Sequence, residues 1–145
     1  MNGIFIFSVS ANTGIFIPGT MKIQRIDHIV IPVKDIRTSI RFYTEILGME
    51  LDNNPDHVAV KFGEQKINLH RGKNEYLPAA KTPTYGSTDI CFLAKGDILS
   101  IKEELENKGV IVEEGIVRRK GASGDLYSLY LRDPDGNLIE ISTPV

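Results

Sequence analysis

Cysteine is almost absent from this chain: a single thiol, Cys91, stands among 145 residues, and tryptophan is missing altogether. One cysteine excludes an intrachain disulfide framework and any zinc site made of cysteines alone, and it fits a reducing cytosol. A surplus of positive charge is missing too. Lys and Arg number 17 against 19 Asp and Glu, for a net charge of −2. That balance argues against a nucleic-acid binder working through bulk electrostatics. No apolar run approaches the roughly 20 residues that a bilayer-spanning helix needs. The expectation is a cytoplasmic protein with neither nucleic acid nor membrane as partner.

The first twenty residues, MNGIFIFSVSANTGIFIPGT, lack charge entirely. They also lack the basic opening and the continuous apolar core of a secretory signal. They read as a leader outside the core domain, with an edge strand as the alternative. The functional domain is then 21–145. Its composition is that of an ordinary folded domain, with 41% apolar and 25% charged residues over the whole chain. The length suits one core, or two half-domains sharing one.

What the domain does contain is a phrase said twice. RIDHIVIPVKDI (Arg25 to Ile36) and STDICFLAKGDI (Ser87 to Ile98) share an apolar run followed by Lys and then Asp-Ile. An offset of 61 carries His28 onto Asp89, Lys34 onto Lys95, Glu45 onto Glu106 and Gly48 onto Gly109. Duplication explains such a series better than chance does. Each copy opens with a short β-branched run, hence a strand. Apolar residues then recur at helical spacing, with Asp35 and Asp97 placed to cap the two helices and Gly48 and Gly109 to end them. MELDN, HVAVKF and KINLHR follow in the first copy; VIVEEG, LYSLYLR and NLIEIST follow in the second. The Asp-Pro-Asp-Gly at 133–136 reads as a hairpin turn.

The predicted fold class is therefore α+β: tandem βαβββ repeats, 22–72 and 86–143, forming a curved, mostly antiparallel sheet. Near the end of the second copy the offset becomes 70, matching KINLH with GNLIE. The added residues fall around IVRRKGASGDL, a basic stretch read as a polar loop and a candidate lid. The two offsets pair His28 with Asp89 and His70 with Glu140. If the halves close on each other, two imidazoles and two carboxylates face one trough. Such a mixed N/O set suits nickel, zinc, iron, cobalt or manganese rather than magnesium or calcium. Taken singly, each of these residues reads first as a surface residue; the pairing is what singles them out. His57 has no such counterpart and reads as a solvated turn residue.

DHIVIPVKDIRTSIRFYTEILGM and YLRDPDGNLIEIS resemble the opening and closing segments of the vicinal oxygen chelate superfamily, over roughly Lys22 to Thr143. That superfamily comprises glyoxalase I, fosfomycin-resistance thiol transferases, methylmalonyl-CoA epimerase, extradiol dioxygenases and bleomycin-binding proteins. The resemblance implies one divalent metal per site, nickel or zinc first, held by His28, His70 and Glu140. Asp89 stands where the family usually has His. It also implies a homodimer and a small-molecule substrate.

INLH, TDIC and RDPDGNLIEIS are similar to small glyoxalase-domain proteins, some of them described as lactoylglutathione lyases or virulence-associated proteins. The implied reaction converts a 2-oxoaldehyde–thiol hemithioacetal, such as that of methylglyoxal and glutathione, into a 2-hydroxyacyl thioester. Glu140 would be the catalytic base. Arg118, Arg119 and Lys120 would meet the glutathione carboxylates, with Tyr127 or Tyr130 beside them. A solvated basic loop is the plainer reading of that stretch. Cys91 reads as a small buried hydrophobe. The rival functions are a thiol transferase, an epimerase, an extradiol dioxygenase and a non-enzymatic drug-sequestering dimer.

Overall fold

A computed structural model describes residues 19–145. Apart from its last two positions, the expected leader lies outside the described residues. The first half runs β1 (His28–Val33), α1 (Ile36–Arg41) continuing into a π-helical turn (Phe42–Ile46), β2 (Glu50–Asn53), β3 (Val58–Phe62) and β4 (Gln65–Arg71). The second half runs β5 (Asp89–Leu93), α2 (Ile98–Asn107), β6 (Glu114–Lys120), β7 (Asp125–Arg132) and β8 (Leu138–Pro144). The βαβββ unit occurs twice, and the class is α+β.

Each unit forms its own four-stranded sheet, ordered β1-β4-β3-β2 and β5-β8-β7-β6. In both, the first strand pairs in parallel with the last, and the remaining pairings are antiparallel. A strand presents alternate residues to opposite faces. Ile31 and Val33 on β1, Ile67 and Leu69 on β4, Phe92 on β5 and Ile139 and Ile141 on β8 therefore turn to the core. The core is shared between the halves, with the Phe62 and Phe92 rings in edge contact at 5.2 Å. The residues between them in sequence face the other way and form the open face of each sheet.

The helices begin and end as their sequences require. Asp35 accepts from the Thr38 N–H at 2.8 Å and Asp97 from the Ser100 N–H at 2.9 Å, so each N-terminus has a capping carboxylate. Gly48 and Gly109 take φ of 73° and 78°, the left-handed conformation that a Cβ disfavours.

The Asp-Pro-Asp-Gly turn ties the halves together. Asp133 accepts from the Tyr43 hydroxyl at 2.7 Å, from Asn137 Nδ2 at 2.7 Å and from the Asn137 N–H at 2.9 Å. The neighbouring Asp135 accepts from the Lys34 N–H at 3.1 Å.

One expectation fails locally. The stretch read as a polar loop is mostly strand: β6 reaches Lys120, and the turn to β7 is only Gly121 to Gly124, closed by a 2.8 Å bond between Gly121 N–H and the Gly124 carbonyl. Conversely, Val110 to Glu113 precede the strand they were expected to begin. Polarity misled because an edge strand can carry charge on its exposed positions without losing its ladder.

Candidate metal centre

Strand register decides which side chains can meet. On the first sheet His28 lies opposite Lys66, and Pro32 lies opposite His70. On the second, Asp89 lies opposite Leu138 and Cys91 opposite Glu140. Superposing the two ladders makes Lys66 equivalent to Leu138, an offset of 72 rather than 70. The residue matching Glu140 is then Asn68, and His70 matches Ser142.

This changes the expected donor set. His70 is four residues along the strand pair from the level of His28, about 13 Å of strand rise. Its ring packs instead against Tyr76, with centroids 5.0 Å apart, and Tyr76 packs in turn on His57 at 4.8 Å. Burial pushes the His70 pKa down; His57 adds to this and Glu75 opposes it.

Asn68 lies one step from His28 on the neighbouring strand, on the same face, as Glu140 does from Asp89. The Asn68 Oδ1 atom is buried and has no hydrogen-bond partner. A buried polar atom left unpaired costs stability unless something else satisfies it. His28 Nδ1 sits 2.8 Å from Asp27 Oδ2, which also holds the Asp27 carboxyl below its ordinary range.

Two donor pairs thus occupy matching places, His28 with Asn68 and Asp89 with Glu140. Among the described residues, no three His, Cys, Asp or Glu side chains gather within the chain as a metal-holding group. The four residues singled out by sequence do not converge in one protomer.

Around Glu140 the second sheet builds a polar floor. Ser142 Oγ donates to Glu140 Oε1 at 3.1 Å, while Ser128 Oγ and Cys91 Sγ lie 2.7 and 3.3 Å from Ser142 Oγ. Cys91 is exposed on this open face rather than buried in the core. Partial burial pushes its pKa up, the Ser142 hydrogen bond opposes this, and the Glu140 and Asp89 carboxylates add to the rise. A raised pKa disfavours the thiolate, the form that acts as nucleophile.

Tyr130 lies opposite Glu140 on β7, and Arg119 Nε donates to the Tyr130 hydroxyl at 2.9 Å. Glu140, Cys91 and Arg119 line a cavity of about 530 Å³, walled by Leu93, Leu126 and Pro144 and by the 121–124 turn. Lys120 lies at its rim. Strand alternation turns the other two expected contacts away. Arg118 does not line this cavity but pairs at 2.8 Å with Asp125, which does, and Tyr127 lines a separate hollow with Ile98 and Ile116.

Sequence reasoning missed Asn68. The signal was present, because Ile67-Asn68-Leu69 matches Ile139-Glu140-Ile141 position for position.

Comparison with known proteins agrees with this architecture. The profile of the Glyoxalase/Bleomycin resistance protein/Dioxygenase superfamily matches residues 25–141. Virulence protein STM3117 of Salmonella typhimurium is 49% identical over 123 residues, covering 84% of this chain and 85% of that protein. Its crystal structure aligns with a TM-score of 0.81, covering 86% of this chain and all of the other. Glyoxalase domain-containing protein RDO1 of Mycosarcoma maydis is 40% identical over 85% of this chain and 70% of its own length. Among the described residues no helix is long and apolar enough to cross a membrane.

Proposed function

The chain belongs to the Glyoxalase/Bleomycin resistance protein/Dioxygenase superfamily, and on that premise we propose that it is a metal-dependent lyase of the glyoxalase I type. Its substrate is a hemithioacetal of a 2-oxoaldehyde and a thiol, and its product a 2-hydroxyacyl thioester. The observation that carries this reading is the matched placement of His28 with Asn68 and of Asp89 with Glu140, on the open faces of two equivalent sheets.

The donor chemistry fits a divalent ion. One imidazole, two carboxylates and an amide oxygen make the mixed N/O set that nickel and zinc accept, with iron, cobalt or manganese also compatible. The unpartnered Asn68 Oδ1 is an atom such an ion would satisfy. The Asp27 carboxylate at His28 Nδ1 leaves Nε2 as the coordinating atom; a carboxylate behind the ligand is the usual outer support of a metal-binding histidine. A bound ion would supply Lewis-acid polarisation of the two neighbouring substrate oxygens.

The two pairs do not meet within one protomer, so the complete site is shared. His28 and Asn68 of one copy face Asp89 and Glu140 of a second, in a homodimer with two equivalent sites.

Glu140 is the base. It takes the proton from the hydroxyl-bearing carbon of the hemithioacetal and returns it to the neighbouring carbonyl carbon. The hydroxyl proton passes to the former carbonyl oxygen, so that the ketone becomes the 2-hydroxyl and the carbinol the thioester carbonyl. The hydrogen bond from Ser142 orients its carboxylate.

The reading is tested by elemental analysis of purified protein, parent against His28→Ala and Glu140→Gln, alongside thioester absorbance from methylglyoxal with a thiol. Stoichiometric metal in the parent and its loss in His28→Ala support the centre. Bound metal without thioester from any thiol would remove the lyase assignment. No metal would remove the centre itself.

A further inference from the structure

Two serines lie on the open face of the second sheet with no exposed surface: Ser128 on β7 and Ser142 on β8, each 0% accessible and directly opposite each other. A buried hydroxyl costs stability unless it is hydrogen-bonded, so each of these protons needs a destination. Ser142 Oγ lies 3.1 Å from Glu140 Oε1, 2.7 Å from Ser128 Oγ and 3.3 Å from Cys91 Sγ.

Counting protons gives these contacts a direction. An ionised carboxylate only accepts, while a serine hydroxyl has one proton and two lone pairs. Ser142 therefore spends its single proton on Glu140. It has nothing left to donate, so the Ser128 hydroxyl and the Cys91 thiol both donate to Ser142 Oγ, one to each lone pair. Three donors point one way, and the chain ends on Oε1 of Glu140. Donors in series polarise one another, which strengthens the last bond, the one made to a charged acceptor.

Resting on the reading of Glu140 as ligand and base, we propose that Ser128, Ser142 and Cys91 are positioning residues, a one-way hydrogen-bond chain that fixes the Glu140 carboxylate in the trough. They act on the reaction through Glu140.

Arg119 is not that anchor. Its Nε donates to the hydroxyl of Tyr130, the residue opposite Glu140, and its other nitrogens reach the Arg118 carbonyl at 3.1 Å and Glu114 at 3.4 Å. A carboxylate locked in a bidentate ion pair would be a weaker ligand and a weaker base, since a nearby cation stabilises its charge in advance. Neutral donors orient the carboxylate and leave its charge for the ion.

Cys91 is the sole thiol of the chain, so its S–H stretching band in the infrared reports on one contact. The test is that band in the full-length protein, freed of metal with chelator, alongside calorimetric titration with zinc. In the parent the band is expected at lower frequency than that of a thiol in an alkane, the mark of a donated bond. Ser142→Ala should return it to the free position. Glu140→Ala should move it too, because Ser142 is then released to donate elsewhere. Zinc should bind about tenfold more weakly to Ser142→Ala and about threefold more weakly to Ser128→Ala, the scale of lost support behind a metal ligand. Cys91→Ser, which keeps a donor, should bind zinc more tightly than Cys91→Ala. Melting temperatures check that each variant is folded.

A free S–H band in the parent, or a band unmoved in Ser142→Ala or in Glu140→Ala, overturns the chain. Parent affinity for zinc in Ser142→Ala overturns the positioning role. A parent that binds no zinc removes the metal centre instead, and the band still decides whether the hydroxyls are aimed at Glu140.

Discussion

The Tyr43 hydroxyl donates to the Asp133 carboxylate at 2.7 Å across 90 residues of sequence, and both side chains are buried. One partner belongs to the first βαβββ unit and the other to the final turn of the second. The same carboxylate receives the Asn137 side chain and two backbone N–H groups. Burial, with Asp133 alongside, raises the Tyr43 pKa far above its ordinary value, so the phenol remains a donor at any working pH. Tyr43→Phe keeps the ring and removes one charge-assisted bond. It is expected to lower unfolding stability by about 2 kcal/mol, read as a shift of the urea midpoint with unchanged slope.

The strand register separates Asn68 from His70. Asn68→Leu is expected to lose bound zinc or nickel, His70→Gln to retain it, and Asn68→Asp to bind about tenfold more tightly by adding a carboxylate. Metal titration of the three variants by calorimetry checks the ordering. Retention in Asn68→Leu together with loss in His70→Gln would restore the offset of 70.

A shared centre predicts complementation. His28→Ala and Glu140→Gln protomers are each expected to form dimers without an intact site. A hybrid of the two has one site in which His28 of one chain meets Glu140 of the other. Denaturing and refolding an equimolar mixture should recover about a quarter of the parent metal content. Recovery of none would place all the donors in one chain.

Asp35 supplies an acid-sensitive contribution. The Thr38 backbone N–H holds the Asp35 carboxyl below its ordinary value. A carboxyl whose folded pKa is lowered stabilises the fold at pH above its unfolded value near 3.8, and that contribution disappears as pH falls through the folded value. Asp35→Ala should therefore melt lower than the parent at pH 7, and the gap should close below about pH 3. A gap that persists at pH 2 would assign the effect to helix propensity instead of capping.

Much of the architecture was legible in the residues. The duplicated opening phrase located both first strands, both helices and their caps, because capping carboxylates and terminal glycines are local requirements set by backbone geometry. The donors on the first strands, His28 and Asp89, were placed as equivalents for the same reason.

The partner strands were harder. Side chains alternate with period two, so a slip of two residues leaves every apolar position facing the core. Offsets of 70 and 72 therefore look alike in the pattern of burial, and only the ladder tells them apart. Arg118 and Tyr127 were misplaced by the opposite kind of slip. Each lies one residue from a trough-facing neighbour, and one residue is enough to change faces. The β6 strand was taken for a loop because charge on an edge strand resembles charge in a turn.

Each βαβββ unit carries its own donors, one on an edge strand and one on the strand beside it. On the proposed function, the two halves of the coordination sphere would be encoded separately. A substitution such as Asp for His at position 89 or Asn for an acid at position 68 alters one hemisphere without disturbing the backbone that shapes the other. Descendants of such a duplication are free to sample new ions and new reactions by changing one module at a time.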